Sequence, residues 1–285
     1  MSEPLKLAKL RPAERLEKTL ARVARDRGLD QERLRRWASF LALCGVLERA
    51  TANGLLGGYY LKGGVAMELR FAQRARATKD LDVGLHGDRA ARLREFEQAL
   101  KLGFDQYSFR IKPTIRQMDL ADTVRIEVAI QYRTRAWQTI EVDLGPVGVA
   151  SVDLVAPAIQ GLRELGVPVT SPVRCISLSE QAAQKLHACT APKTAGARAR
   201  DVLDILLIET LGQLDYAAAR KAARRVFRER ATHDFPPIFA FPPIWRPELA
   251  ALADQLGFPF TEAAEIELLF RETVRRIMTA KKSDV

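Results

Sequence analysis

Within the stretch Tyr59–Leu85 the chain writes a short apolar run, a glycine pair, a helical segment and a second apolar run bearing two aspartates, YYLKGGVAMELRFAQRARATKDLDVGL. On a strand successive side chains alternate between faces, so Asp80 and Asp82 point the same way. Two like charges so placed repel, and folding alone gives no reason for them. A bound cation would turn that repulsion into a use. The glycine pair adds a second constraint. Gly63-Gly64 falls between a strand and a helix, where bare backbone N–H groups can hold phosphate oxygens. Either feature alone is weak, but their order is the stronger signal.

Composition narrows the classes. With 285 residues, 47% of them hydrophobic, the chain can bury a sizeable core and is not wholly disordered. No apolar run approaches the roughly 20 residues needed to cross a bilayer. The opening MSEPLKLAKL lacks a long apolar secretory region, so the expectation is a cytoplasmic protein. The three cysteines are widely spaced, form no C-x-x-C, and read as buried hydrophobes. The three histidines show no ligand spacing, which argues against zinc. The net charge of +10 suits a polyanionic partner such as nucleic acid, although an Arg- and Ala-rich composition produces the same excess. No helix-turn-helix or basic stripe stands out.

The hydrophobic pattern predicts helices over 10–53, with Leu16, Leu20 and Val23 and then Leu34, Trp37, Leu41 and Cys44 at helical spacing. Arg33, Arg35 and Arg36 read as a solvated basic face. Strands are expected at 59–62, 81–85 and 104–111. An antiparallel pair is expected at 123–132 and 139–144, joined through 133–138, and a helix at 90–100. Pro157, Gly166, Pro168 and Pro172 mark a loosening after the sheet. Helices follow at 179–187, 198–211, 216–230 and 262–281. The run 233–247, with five prolines and Phe235, Phe239, Phe241 and Trp245, reads as a Pro-aromatic crossing between helices. The fold class is α+β.

The run KGG…ELR…TKDLD resembles the nucleotidyltransferase core of the polymerase β superfamily. More narrowly it is similar to the AbiEii/AbiGii toxin family, which includes the mycobacterial MenT toxins. The resemblance implies a mixed or antiparallel sheet flanked by N-terminal helices and a C-terminal helical region. Residues 1–160 would hold the N-terminal helices and the core, and 161–285 a mainly helical domain completing the active site. It implies that Gly63, Gly64, Asp80 and Asp82 bind triphosphate and Mg²⁺ (Mn²⁺ as a substitute), with Arg70, Lys62 and Lys79 close by. A third metal carboxylate is expected on a neighbouring strand, where IEVDLGP offers Asp143 or Glu141; Asp143 matches the pattern better.

Downstream, QAAQKLHACTA and RARDVLDILLIE resemble the family's later motifs. Asp201 and Asp204 are three apart on one helix face in an apolar segment, where an inward carboxylate needs a cation; Lys185 is available, and a structural ion pair is the plain alternative. The resemblance implies that Lys185 holds nucleotide phosphates, Asp204 positions it, Arg198 and Arg200 assist, and Asp201 is in support. His187 belongs to the motif but reads equally as a structural histidine. Ser179 and Thr190 show no nucleophile–base arrangement.

The resemblance implies a toxin that moves NMP from an NTP to the 3′ acceptor end of tRNA and so blocks translation. It also implies a cognate antitoxin. Thr78, two residues before Asp80, is a candidate regulatory site: phosphorylation by the antitoxin would set roughly −2 charge beside two carboxylates. The rival readings are transfer to a protein or a small molecule, and a non-catalytic basic nucleic-acid-binding regulator.

Overall fold

The structure, a computed structural model, describes residues 12–118, 122–159, 172–191, 198–235, 237 and 240–281. Gly166, Pro168 and Phe239, singled out from sequence, lie outside them, as do the first ten residues. The described elements run α1 (Pro12–Arg27), α2 (Gln31–Ala52), β1 (Tyr59–Lys62), α3 (Gly63–Phe71), β2 (Asp80–Leu85), α4 (Arg89–Leu100), β3 (Tyr107–Met118), β4 (Thr123–Tyr132), β5 (Arg135–Pro146), β6 (Val152–Val155), β7 (Val173–Ile176), α5 (Leu178–Thr190), α6 (Ala199–Gly212), α7 (Tyr216–Arg230), α8 (Trp245–Gln255) and α9 (Ala263–Thr279). One seven-stranded mixed sheet has the order β3-β4-β5-β2-β1-β7-β6. The chain divides into two compact units. The first is Met1–Ala72, Ala77–Gly148 and Leu154–Cys175; the second is Gln73–Arg76, Val149–Asp153 and Ile176–Val285.

In the first unit the period of apolar residues sets the layers. Leu16, Leu20 and Val23 of α1 and Leu34, Trp37, Leu41 and Cys44 of α2 are buried, as their spacing predicts. Asp30 caps α2 by accepting from the Arg33 N–H at 2.7 Å. Along β4, Val124, Ile126, Val128 and Ile130 alternate into the core. The β4–β5 hairpin turns at Arg133-Thr134, with Arg133 at φ +55, so β5 starts at Arg135 and the expected longer link is itself strand. The register shifts between Ile130 and Gln131, leaving Trp137 as the extra residue of a bulge. Its ring lies near those of Tyr107 and Tyr132, and its Nε1–H donates to Ser39 Oγ at 3.0 Å.

Several expectations change. The strand expected over 104–111 starts at Tyr107 and runs on to Met118. The sheet gains two four-residue strands, β6 and β7, and β7 lies parallel to β1. The arginines of α2 are not a solvated face. Arg33 Nε donates to the buried Glu68 at 2.8 Å and its Nη2 to the Ala72 carbonyl; its guanidinium also lies over the Trp37 ring. Arg35 pairs with Glu17 and lies over Trp137. The basic residues are drawn inward by Glu68, Glu17 and Trp137, remote in sequence, and by Trp37 one helical turn on.

The second unit is helical. Within it, Leu203, Leu206 and Leu207 of α6, Val226 and Phe227 of α7, Trp245 and Leu249 of α8 and Ile266, Phe270 and Ile277 of α9 form the buried apolar set. α8 begins inside the Pro-aromatic run, because Pro247 falls in its first turn, where a missing N–H costs nothing. No described helix is long and apolar enough to cross a membrane.

Glu68 is 1% exposed and holds three donors: Arg33 Nε, Trp37 Nε1–H at 2.9 Å and the Thr78 N–H at 3.1 Å. Removing it strands a half-buried guanidinium and two N–H groups. Glu68→Ala is expected to cost about 3 kcal/mol or more, read as a lower urea midpoint at unchanged slope by tryptophan fluorescence.

Candidate active site

In the first unit β2 and β5 run parallel in a register that pairs Asp80 with Glu141 and Asp82 with Asp143. Antiparallel neighbours extend the rows: Lys62 on β1 opposes Asp82, and Arg125 on β4 opposes Asp143. Residues directly opposite one another share a face. One face of the sheet therefore carries a row Arg125–Asp143–Asp82–Lys62 and, two residues along, Glu141 beside Asp80.

Each carboxylate on this face is differently held. Asp143, 8% exposed, accepts both prongs of the Arg125 fork, Nε to Oδ1 and Nη2 to Oδ2, each at 2.7 Å. The Asp143 hydrogen bonds lead in raising the Arg125 pKa, against burial, with Glu141 and Asp80 adding to the effect. Glu141 is more open, its nearer oxygen 3.8 Å from Arg125 Nη1. Asp80 Oδ1 accepts from Thr78 Oγ1 at 2.5 Å. Thr78, 4% exposed, is itself fixed by its N–H on Glu68 and by packing against Gly64, where a Cβ would lie 2.6 Å from that of Thr78. Gly63 has φ +64, and a Cβ there would meet Asp82 Oδ2 at 1.9 Å, so the backbone at the start of α3 sits against the second aspartate. The N-cap residue of α3, Lys62, does not cap this helix end with its own side chain. Lys62 Nζ reaches across β2 to β5, 2.8 Å from where a Gly145 Cβ would be.

The donors here are all hard carboxylate oxygens, which fit a divalent cation. Among the described residues no three metal-ligating groups converge into a ready-made cage. One or two carboxylates completed by substrate phosphates and water is the arrangement so sparse a set suits. The Arg125 fork takes one lone pair on each Asp143 oxygen and leaves another on each.

The second unit holds the downstream motif. Lys185 Nζ lies 3.0 Å from Asp201 Oδ1 and 2.5 Å from Asp204 Oδ2, and Arg76 Nε is 3.3 Å from that same Asp204 oxygen. All but Arg76 are buried. Burial pushes the Lys185 ammonium down, but Asp204 and then Asp201 outweigh it and hold its pKa above the ordinary value. Burial likewise raises the Asp204 carboxyl, yet Lys185 and Arg76 bring it below its ordinary value. Arg198 donates to Asp201 at 3.3 Å, and Arg200 is exposed. His187 is a packing residue: its ring meets Phe227 and His233, and Nε2 lies 2.9 Å from Thr232 Oγ1. Burial first, then Arg230 and His233, lowers its pKa to about 4. Thr190 does meet a histidine, His233 Nε2 at 2.9 Å, but its hydroxyl also donates to the Leu186 carbonyl, so it is no nucleophile–base pair. Ser179 donates to the Asp215 carbonyl.

Of the remaining candidates, Lys79 is exposed on the segment before β2 and Arg70 Nη1 donates to the Ala66 carbonyl of its own helix. Arg125, Glu68 and Arg76 are residues that sequence reasoning did not single out.

A mixed sheet with paired aspartates at a glycine turn is the fold of a nucleotidyltransferase. The solved structure of MenT4, a nucleotidyltransferase toxin of Mycobacterium tuberculosis, matches with a TM-score of 0.56 at 17% identity, over 93% of this chain and 90% of that one. The antibiotic-resistance factor ANT(2″)-Ia matches more loosely, with a TM-score of 0.41 at 17% identity, over 68% of this chain and 93% of that one. A comparison of the sequence with curated proteins gave no match. The family described as "Nucleotidyl transferase AbiEii toxin, Type IV TA system" matches residues 45–278, and the chain belongs to that family.

The opposite pKa shifts of Asp204 and Lys185 set a pH window. The lowered Asp204 contributes stability above the unfolded carboxylate value of about 4, lost as pH falls through its folded pKa. The raised Lys185 contributes below about 10.4, lost as pH rises through its folded pKa. Asp204→Asn is therefore expected to be about 3 kcal/mol less stable than wild type at pH 7, with the gap closing below pH 4 in denaturant titrations run across pH.

Proposed function

We propose that this toxin-family enzyme transfers a nucleoside monophosphate from an NTP to the 3′ end of tRNA, with Mg²⁺ as the cation. The acceptor O3′ forms a bond to the α-phosphorus, the bond from that phosphorus to pyrophosphate breaks, and the hydroxyl proton leaves to solvent. The observation that carries this reading is the register placing Asp80 and Asp82 beside Glu141 and Asp143 at the Gly63-Gly64 turn.

In this reading Asp80 and Asp82 are the metal ligands. Asp143, in register with Asp82, is the third in preference to the more open Glu141. When bound, Mg²⁺ would polarise the α-phosphate and neutralise the triphosphate. Thr78 aims the Asp80 carboxylate, and the Arg125 fork orients Asp143. The start of α3 is assigned to the phosphates by its helix-dipole end, and Lys62 and Lys79 add positive charge there. Lys185, kept charged by its two aspartates, is assigned to the triphosphate, with Arg198 and Arg200 in support. Such transfer asks for position and charge more than for covalent chemistry.

Adding nucleotides to the acceptor end would stop aminoacylation and hence translation, in the cytoplasm, until a cognate antitoxin intervenes. We place a point of control at Thr78. Its hydroxyl is buried against Asp80, so modification requires local opening of the segment around Ala77–Lys79, both ends of which are exposed. A Thr78→Glu variant should lose activity and toxicity; full retention of both would remove Thr78 as a control point.

Purified protein given total tRNA and each labelled NTP in turn, with Mg²⁺, should place label in RNA. Asp80→Ala and Asp82→Ala should each lower the rate by at least a factor of 10³. Asp143→Asn should cost far more than Glu141→Gln. Label in protein or a small molecule and none in RNA would move the acceptor to another class. Growth inhibition unchanged by Asp80→Ala would remove catalysis altogether.

A further inference from the structure

The arginines of the second unit are not treated alike. On α9, Arg271, Arg275 and Arg276 are each paired with Glu267 or Glu272. On α7, Arg225 is held by Glu180 and Glu229. Lys221, Arg224 and Arg228 on the same helix are exposed, and none forms an ion pair with any described residue. They are three and four residues apart and share one face, a row about 10 Å long.

That row separates two concavities, and Arg224 and Arg228 line both. One, about 590 Å³, is lined by the buried Phe227, the half-exposed His233 and Phe235, and, as its one carboxylate among the described residues, Asp234. The rings are mutually packed, Phe227 against Phe235 at 5.3 Å and against His233 at 4.7 Å between centroids. The other, about 940 Å³, runs along Ala217, Ala218, Lys221 and Ala222.

We propose that this face of α7 docks an RNA strand: phosphates along Lys221, Arg224 and Arg228, and an unpaired base against Phe235 and His233. Aromatic walls beside unpaired cations are the pairing that single-stranded RNA uses, backbone on the charges and base on the rings. An acidic peptide needs the charges but not the ring-lined concavity. The proposal deepens the acceptor assignment above, and rests on it, by naming where an RNA acceptor is gripped.

The test is tRNA binding by the full chain without NTP, from about 0.05 to 0.3 M salt, beside the transfer assay. The triple variant K221A/R224A/R228A should weaken binding at least tenfold near 0.15 M salt and lower the salt slope by about 2 to 3. Replacing the row by K221R/R224K/R228K should keep the slope, which separates lost charge from lost fold. Phe235→Ala should weaken binding about tenfold with the slope unchanged. Arg275→Ala, whose guanidinium is already paired, should bind as wild type does. A folded triple variant with wild-type affinity and slope overturns the proposal. So does one that keeps tRNA and loses the antitoxin, which would assign the row to a protein partner. Row-dependent binding without transfer would sink the acceptor assignment alone and support the docking face. Transfer with row-independent binding would do the reverse.

Discussion

Everything in the first unit hangs on the parallel pairing of β2 with β5. Asp80, Asp82, Glu141 and Asp143 crowd one face only because that register sets them opposite one another. A slip of one residue would turn either strand's pair to the other side of the sheet. Four carboxylates so close repel, and the protein answers with cations from the two strands outside them, Arg125 on β4 and Lys62 on β1. The compensation is deliberately incomplete in chemical terms. Arg125 occupies one side of Asp143, and Thr78 holds one oxygen of Asp80.

A second arrangement supports the first from below. Glu68 ties Arg33 and Trp37 of α2 to the backbone of Thr78, and Thr78 in turn holds Asp80. A buried carboxylate is a poor source of net stability, because desolvation offsets much of its pairing. Its value is directional: four groups from three segments meet at fixed angles, and the aspartate at the end of the line inherits that order. The basic helix therefore serves the site through packing and hydrogen bonds, not as a surface charge.

Much of this was legible in the chain. Gly63-Gly64, Asp80 and Asp82 declared themselves by order, and the helix expected over 179–187 runs over Leu178–Thr190. What escaped depended on distance along the sequence. Arg125 looks like any outward residue of an alternating strand. Its partner follows only if the hairpin turns at Arg133-Thr134 and one bulge is counted, and neither the left-handed Arg133 nor the bulge at Trp137 is written in a turn motif. Arg33 read as solvated because nothing local announces Glu68, 35 residues away. β6 and β7 are four residues each, too short for a period, and α8 was hidden by prolines that occupy its approach and first turn. The stripe on α7 was present in YAAARKAARRVFRER but masked by neighbouring arginines; only the structure separates the paired from the unpaired.

Gly63 carries a consequence for how such a protein is silenced. A single added methyl would collide with Asp82, so the site can be disarmed at a position that contributes no functional group. For a chain whose activity harms the cell that makes it, selection against harm need not strike an acid or a base. It can fall on empty space, and the genetic footprint of escape would spread to residues that no reading of chemical groups would mark.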